Sequence, residues 1–189
     1  IGTSLRDELD RRTPINLLLS GSVVDEMATR EAASLSALRG ALEDGNACIV
    51  GGEYEEHRLP LLDPESILAG LRRGLDTYHR HLGTRPDIFG RRQFGLTPLL
   101  PQILSRLSFS GALHATLDDG SFPEGSQSKT RWEGIDGTFI ESYARAPRDA
   151  SRPGTFLNYS IRLGESMDMD QVATVCLAHW PGQVPNWLD

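Results

Sequence analysis

Asp87-Ile88-Phe89-Gly90-Arg91-Arg92-Gln93-Phe94-Gly95-Leu96-Thr97-Pro98 reads as a short buried strand, a glycine-bearing turn and the opening of a helix. The helix runs from Thr97 to Leu107, and the next strand is Gly111-Ala112-Leu113-His114-Ala115. Upstream the same alternation repeats. Asp63-Pro64-Glu65-Ser66 opens a helix with Asp63 as N-cap and Pro64 in the first turn, where a missing N–H costs nothing. Ile67, Leu68, Leu71, Leu75 and Tyr78 form its inner face, and Gly83 ends it. Ala47-Cys48-Ile49-Val50 is an apolar strand closed by Gly51-Gly52. A single long helix is expected from about Val23 to Glu43, with Met27, Leu35, Leu38 and Leu42 at helical intervals. Ile15 to Leu19 is the first strand, and Thr3 to Arg12 is a polar helix before it. This βαβαβαβ order predicts an α/β fold, an incomplete barrel of parallel strands with right-handed crossover helices. Residues 131–140 add a β-hairpin insertion around Asp136-Gly137, placed over the barrel top. Val172 to Ala178 reads as a late strand.

Composition narrows the function classes. The chain has 189 residues, 39% hydrophobic and 24% charged, enough for one sizeable core in a single unit over 1–189. Its net charge of −7 argues against nucleic acid, which demands clustered Lys and Arg. Apolar runs such as Leu17-Leu18-Leu19 are too short to cross a bilayer, so no membrane partner is expected. Cys48 and Cys176 lie in strand-like runs and read as buried thiols rather than a disulfide. Two cysteines are too few for a zinc site built from thiolates. No Gly-x-Ser-x-Gly elbow and no glycine-rich phosphate loop follows a strand.

Ligand chemistry in such folds gathers at the carboxyl ends of strands. Glu53, Glu55 and Glu56 with His57 follow one strand and offer contacts to sugar hydroxyls or a metal, against the alternative of a solvated acidic loop. Arg91 and Arg92 follow the next strand. They suit a carboxylate or phosphate, or salt bridges to the neighbouring glutamates. His114, Asp118 and Asp119 end the fourth strand as candidate catalytic or metal-binding groups, although Asp-Asp-Gly is also a turn former. His179 and Trp180 offer an aromatic platform for a sugar ring, or a packed Trp. His79 and His81 read as exposed or packing residues.

From Ile49 to Ile140 the chain resembles the catalytic barrel of glycoside hydrolase family 38, the retaining α-mannosidases, and more distantly family 57 and the polysaccharide deacetylases. The resemblance is carried by Gly51-Gly52, Leu82-Gly83, Phe94-Gly95 with Thr97-Pro98, Ser108-Phe109, and Trp132-Glu133-Gly134-Ile135-Asp136-Gly137-Thr138. It implies a (β/α)7-type barrel belonging to a larger polypeptide, a carbohydrate ligand touched by Trp132 and Asp136, and a zinc cofactor. Asp118-Asp119 resembles the aspartate pair of the deacetylases, but no His-x-x-x-His accompanies it. The family's His-x-Asp element is absent too, and Arg92 stands at the nucleophile position. Retaining hydrolysis needs two carboxyl groups roughly 5 Å apart. An arginine stays protonated and forms no covalent intermediate. The implied function is a carbohydrate-active barrel that is inactive or altered. The alternatives are a metal-dependent deacetylase or hydrolase using Asp118 and Asp119, and a non-catalytic carbohydrate-binding or scaffold domain. Glu53, Arg92 and Asp118 are expected on one rim of the sheet.

Overall fold

Alternating apolar runs become alternating layers. A computed structural model describes residues 2–93, 95–114, 127–145, 148–149, 158, 160–161, 163–164 and 177–178. Helix α1 (Gly2–Asp10) leads to β1 (Ile15–Leu18), then α2 (Gly21–Arg30), α3 (Ala32–Glu43) and β2 (Ala47–Gly51). A 3-10 turn at Leu59–Leu61 precedes α4 (Pro64–Leu82), followed by β3 (Ile88–Gly90), α5 (Leu100–Arg106) and β4 (Gly111–His114). β5 (Gln127–Glu133) and β6 (Phe139–Arg145) form the hairpin, and β7 (Arg148–Asp149) pairs with β8 (Leu177–Ala178) in parallel. The main sheet has the order β1-β2-β3-β4-β6-β5. Neighbouring strands from β1 to β4 are parallel, with Ile15 opposite Ala47, Val50 opposite Ile88, and Phe89 opposite Ala112. The fold is α/β with crossover helices, as the strand–helix alternation implied.

Local chemistry sets the helix ends. Asp63 accepts the Ser66 N–H at 2.8 Å and the Ser66 hydroxyl at 2.7 Å, filling the first open donor of α4. Gly83 closes α4 at φ 73°, a conformation a side chain resists. The expected single helix over 23–43 is two. Glu31, at φ −138° and ψ 53°, separates α2 from α3. Met27 and Leu35 stand eight residues apart and keep the helical phase, so the break leaves no mark on the apolar pattern. The helix expected from Thr97 begins only at Leu100, after a turn in which Thr97 C=O accepts from Leu100 N–H.

The core has two clusters. Leu5, Leu9, Val24, Met27, Leu35, Leu38, Ile49 and Tyr78 join α1 to α4 with the β1–β2 side of the sheet. Ile67, Leu71, Leu75, Phe89, Leu100, Leu104, Phe109, Ala112 and Ile140 join α4 and α5 with β3, β4 and β6. Side chains alternate across a sheet, so Asn16, Cys48, Ile88 and Leu113 lie on the opposite, inner face. Cys48 is exposed there, which overturns its reading as a buried thiol. Its strand neighbours Ala47 and Ile49 take the helix-facing positions instead. Cys176 and most of the expected 172–178 strand lie outside the described residues. The hairpin expected as an insertion over the barrel top is instead part of the main sheet: β6 pairs parallel with β4, with Gly111 opposite Glu141, and β5 pairs antiparallel with β6.

Candidate functional site at the strand ends of β2 and β3

The site is built where α2, α4 and the turn after β2 cross. Tyr78 on α4 is fully buried and donates its hydroxyl to Leu19 C=O at 2.6 Å, while accepting from Gly52 N–H at 3.4 Å. Glu53 C=O and Tyr54 C=O accept from the Gly21 and Ser22 N–H groups at the start of α2. Tyr54 donates its hydroxyl to Asp25 at 3.0 Å, and the other Asp25 oxygen meets His81 Nε2 at 2.7 Å. His81 is therefore a half-buried packing residue between α4 and α2.

Glu53, 5% exposed, pairs with Arg91 Nη1 at 3.2 Å. Arg91 also donates Nη2 to His57 C=O, while its buried Nε has no hydrogen-bond partner among the described residues. Burial pushes the Glu53 carboxyl up to about 7; the Arg91 charge opposes that rise, and the Glu56 charge adds to it. The Glu56 carboxylate accepts the Arg92 N–H at 2.8 and 3.0 Å and the Gln93 N–H at 2.9 Å. It thereby ties the turn after β3 to the turn after β2. Glu55 and His57 are exposed.

His114 closes β4 with its ring 4.6 Å from the Trp132 ring at 87°, an edge-to-face contact. Its Nε2 is buried without a hydrogen-bond partner, and burial holds its pKa down, at about 4. The unfolded chain takes up this proton near pH 6.5, and the folded one only near 4. Stability should therefore fall by about 3 kcal/mol as pH drops through that window. His114→Phe is expected to flatten this part of the profile, measured by urea unfolding at pH 7 and pH 4.5; an unchanged slope refutes the buried, neutral placement.

The structure brings Glu53, Glu56, Arg91 and Arg92 together. His114 and Trp132 form a separate pair beside the helix-facing cluster. Asp136 is exposed and caps its own turn, accepting Thr138 N–H at 3.1 Å and the Thr138 hydroxyl at 2.8 Å. Asp118, Asp119, His179 and Trp180 lie outside the described residues, so the shared rim of Glu53 and Arg92 is described without Asp118.

No family model matches the sequence, and neither does any curated protein. Solved structures do match. An α-mannosidase from Enterococcus faecalis V583 has a TM-score of 0.69 at 16% identity, covering 95% of this chain and 22% of that one. The 4-α-glucanotransferase from Thermococcus litoralis gives 0.61 at 19% identity, with 95% and 29% covered. The chain shares the barrel fold of these carbohydrate-active enzymes. A family 4 carbohydrate esterase from Streptomyces lividans also matches, with TM-score 0.52, 12% identity, and 96% and 74% covered. At these identities the likeness is one of fold. The barrel segment spans under a third of the length of the mannosidase and the glucanotransferase chains.

Zinc, which the resemblance to the mannosidases implies, does not fit the described part of this barrel. No group of three His, Cys, Asp or Glu side chains converges among the described residues. Glu53 is engaged by a buried guanidinium and Glu56 by main-chain N–H groups. No described helix is long and apolar enough to cross a membrane. The sequence pattern missed Tyr78 and Asp25 as parts of this site. Tyr78 stood in the apolar face of its helix, and its hydroxyl contact depends on two distant turns.

Proposed function

We propose that the chain is a carbohydrate-facing barrel of the α-mannosidase type that does not work by the retaining mechanism. One observation carries this reading. The carboxylates of Glu53 and Glu56 that meet at the ends of β2 and β3 are committed to the scaffold, and the turn they hold presents Arg92 where a nucleophile is expected. A guanidinium cannot form the glycosyl ester. The shared fold supports a sugar ligand, and the polar strand-end turns supply hydrogen-bonding groups to hydroxyls.

An aryl α-mannoside should remain uncleaved by the purified protein, with or without added zinc. Mannose-containing oligosaccharides should bind, seen as amide shifts in residues 51–58 and 90–93. Turnover with a glycosyl ester trapped anywhere from Phe89 to Thr97 would overturn the alignment, because that stretch has no carboxylate. A second reading, a metal-dependent deacetylase, draws support from His114, whose uncharged ring has an unpartnered Nε2. Stoichiometric metal in the purified protein, lost in His114→Phe, would favour it over the first.

A further inference from the structure

We propose that the turn after β3 is a carboxylate cradle for an acidic sugar, a uronate, and that Glu56 caps it until such a ligand displaces it. This ligand class rests on the sugar-facing reading above and narrows it. Two successive main-chain N–H groups, those of Arg92 and Gln93, converge on one carboxylate. Glu56 Oε1 accepts from Arg92 at 2.8 Å, and Oε2 accepts from Arg92 at 3.0 Å and from Gln93 at 2.9 Å. Successive N–H groups aimed at one point form an anion-binding concavity. Both oxygens are used, so the cradle suits the flat, two-oxygen anion of a carboxylate.

A second observation puts positive charge beside the cradle. Arg91, 5% exposed, donates Nη2 to the C=O of His57, the residue after Glu56. Its Nε and Nη1 are buried without a hydrogen bond among the described residues, although Nη1 lies 3.2 Å from Glu53. Arg92 brings a second guanidinium to the same turn. Charge-assisted bonds to a carboxylate are about twice as strong as those to a neutral hydroxyl, so this turn selects the acid over the neutral sugar. Glu56 is a stand-in that the chain is able to release. It is half-buried, it belongs to the irregular segment between β2 and the 3-10 turn, and its bond to Gln93 is exposed. A ligand carboxylate takes over the same bonds, so the turn stays held, and it replaces one for one the Glu56 charge that acts on Glu53. Tethering gives Glu56 a high local concentration, against which a small free carboxylate loses. A uronate adds the contacts of its hydroxyls and displaces it.

NMR titration of the purified protein with mannuronate, mannose and acetate tests this. Mannuronate should shift the Arg92 and Gln93 amides and bind on the order of 10-fold more tightly than mannose. Glu56→Gln, which weakens the tethered competitor, should tighten mannuronate binding on the order of 10-fold. Glu55→Gln removes the same charge one residue away without touching the cradle and should leave the affinity as it was. Equal affinity for mannose and mannuronate overturns the acidic-sugar assignment and leaves the sugar-facing barrel standing. Mannuronate binding that does not move the Arg92 and Gln93 amides overturns it too, and this comparison needs only the parent protein. So does an equal gain in Glu55→Gln, which would reduce the effect to net charge, or acetate binding as tightly as mannuronate, which would make the cradle a site for an adventitious ion only. Binding of neither sugar refutes the sugar-facing reading itself, and the cradle's ligand with it.

Discussion

Arg91→Leu is expected to lower the unfolding free energy by about 3 kcal/mol at pH 8. Glu53 and Arg91 are 5% exposed each, and their side chains meet at 3.2 Å. Removing the guanidinium leaves the Glu53 carboxyl buried without its partner, and a buried charge without its partner is among the costliest defects in a core. The pH dependence identifies the cause. Burial already raises the Glu53 pKa to about 7, and Arg91 is the group that opposes the rise. A folded pKa above the unfolded one means that stability declines as pH climbs from the unfolded value towards the folded one. In Arg91→Leu the folded pKa climbs further, so the decline continues above pH 7. The loss relative to the parent should be largest at pH 8 and should shrink by pH 5.5, where the carboxyl is protonated in both proteins. Urea unfolding at the two pH values measures it. Glu53→Leu/Arg91→Leu should recover most of the loss, since a buried pair replaced by apolar groups of similar volume is often neutral. A penalty equal at pH 8 and pH 5.5, or a double variant no better than the single, would show that the charge of Glu53 is not what Arg91 compensates.

The salt-bridge reading of the two arginines was half legible. Arg91 takes Glu53, as a glutamate one strand away allows. Arg92 meets Glu56 through its main-chain N–H, a contact that no side-chain inventory reveals. The same division runs through the fold. Parallel order could be read because each apolar run ends in glycine or a polar turn and each helix carries its own start and stop signals, as at Asp63-Pro64 and Gly83. The break at Glu31 could not, because it changes backbone angles without shifting the apolar phase. Cys48 was misplaced because a short run such as Ala47-Cys48-Ile49-Val50 reads as buried on both faces, whereas one face of β2 is open at that position. His114 illustrates a third limit. Its strand-end position suggested reactivity, yet its ring packs edge-on against Trp132 beside the helix-facing cluster. Sequence gives a residue's place along a strand more readily than the face it meets beyond the strand's last hydrogen bond.

Gly74→Ala should cost about 3 kcal/mol, although alanine is the better helix former. A Cβ at Gly74 would stand 2.1 Å from Gly52 C=O oxygen, 2.7 Å from Glu53 carbonyl carbon and 2.7 Å from Tyr54 N. All three are main-chain atoms, so no rotamer change relieves the overlap. Either α4 withdraws from the sheet or the turn after β2 moves outward. The turn is poorly able to move: Gly52 adopts φ 147°, Tyr54 N–H donates to Gly70 C=O, and the Glu53 and Tyr54 carbonyls accept from Gly21 and Ser22 N–H at the start of α2. Gly21 stands in the same crossing, where a Cβ would meet Tyr54 Cα at 3.1 Å and Gly74 Cα at 3.2 Å. Close backbone approach between α2, α4 and the strand-end turn is therefore what these glycines provide. Gly70, one helical turn earlier on α4, supplies the control. A Cβ there meets nothing within 4 Å, so Gly70→Ala should raise stability by about 1 kcal/mol through helix propensity alone. The two substitutions differ by a single turn of the same helix and should move the thermal midpoint in opposite directions, by about 2–4 °C for each kcal/mol in a chain of this size. In Gly74→Ala the displaced turn also carries Glu53 and Glu56, so amide shifts should reach Arg92 and Gln93, which in Gly70→Ala stay in place. Equal midpoints for the two variants would mean that α4 does not press on the strand-end turn, and the anchoring assigned to Glu56 and Tyr78 would fail with it.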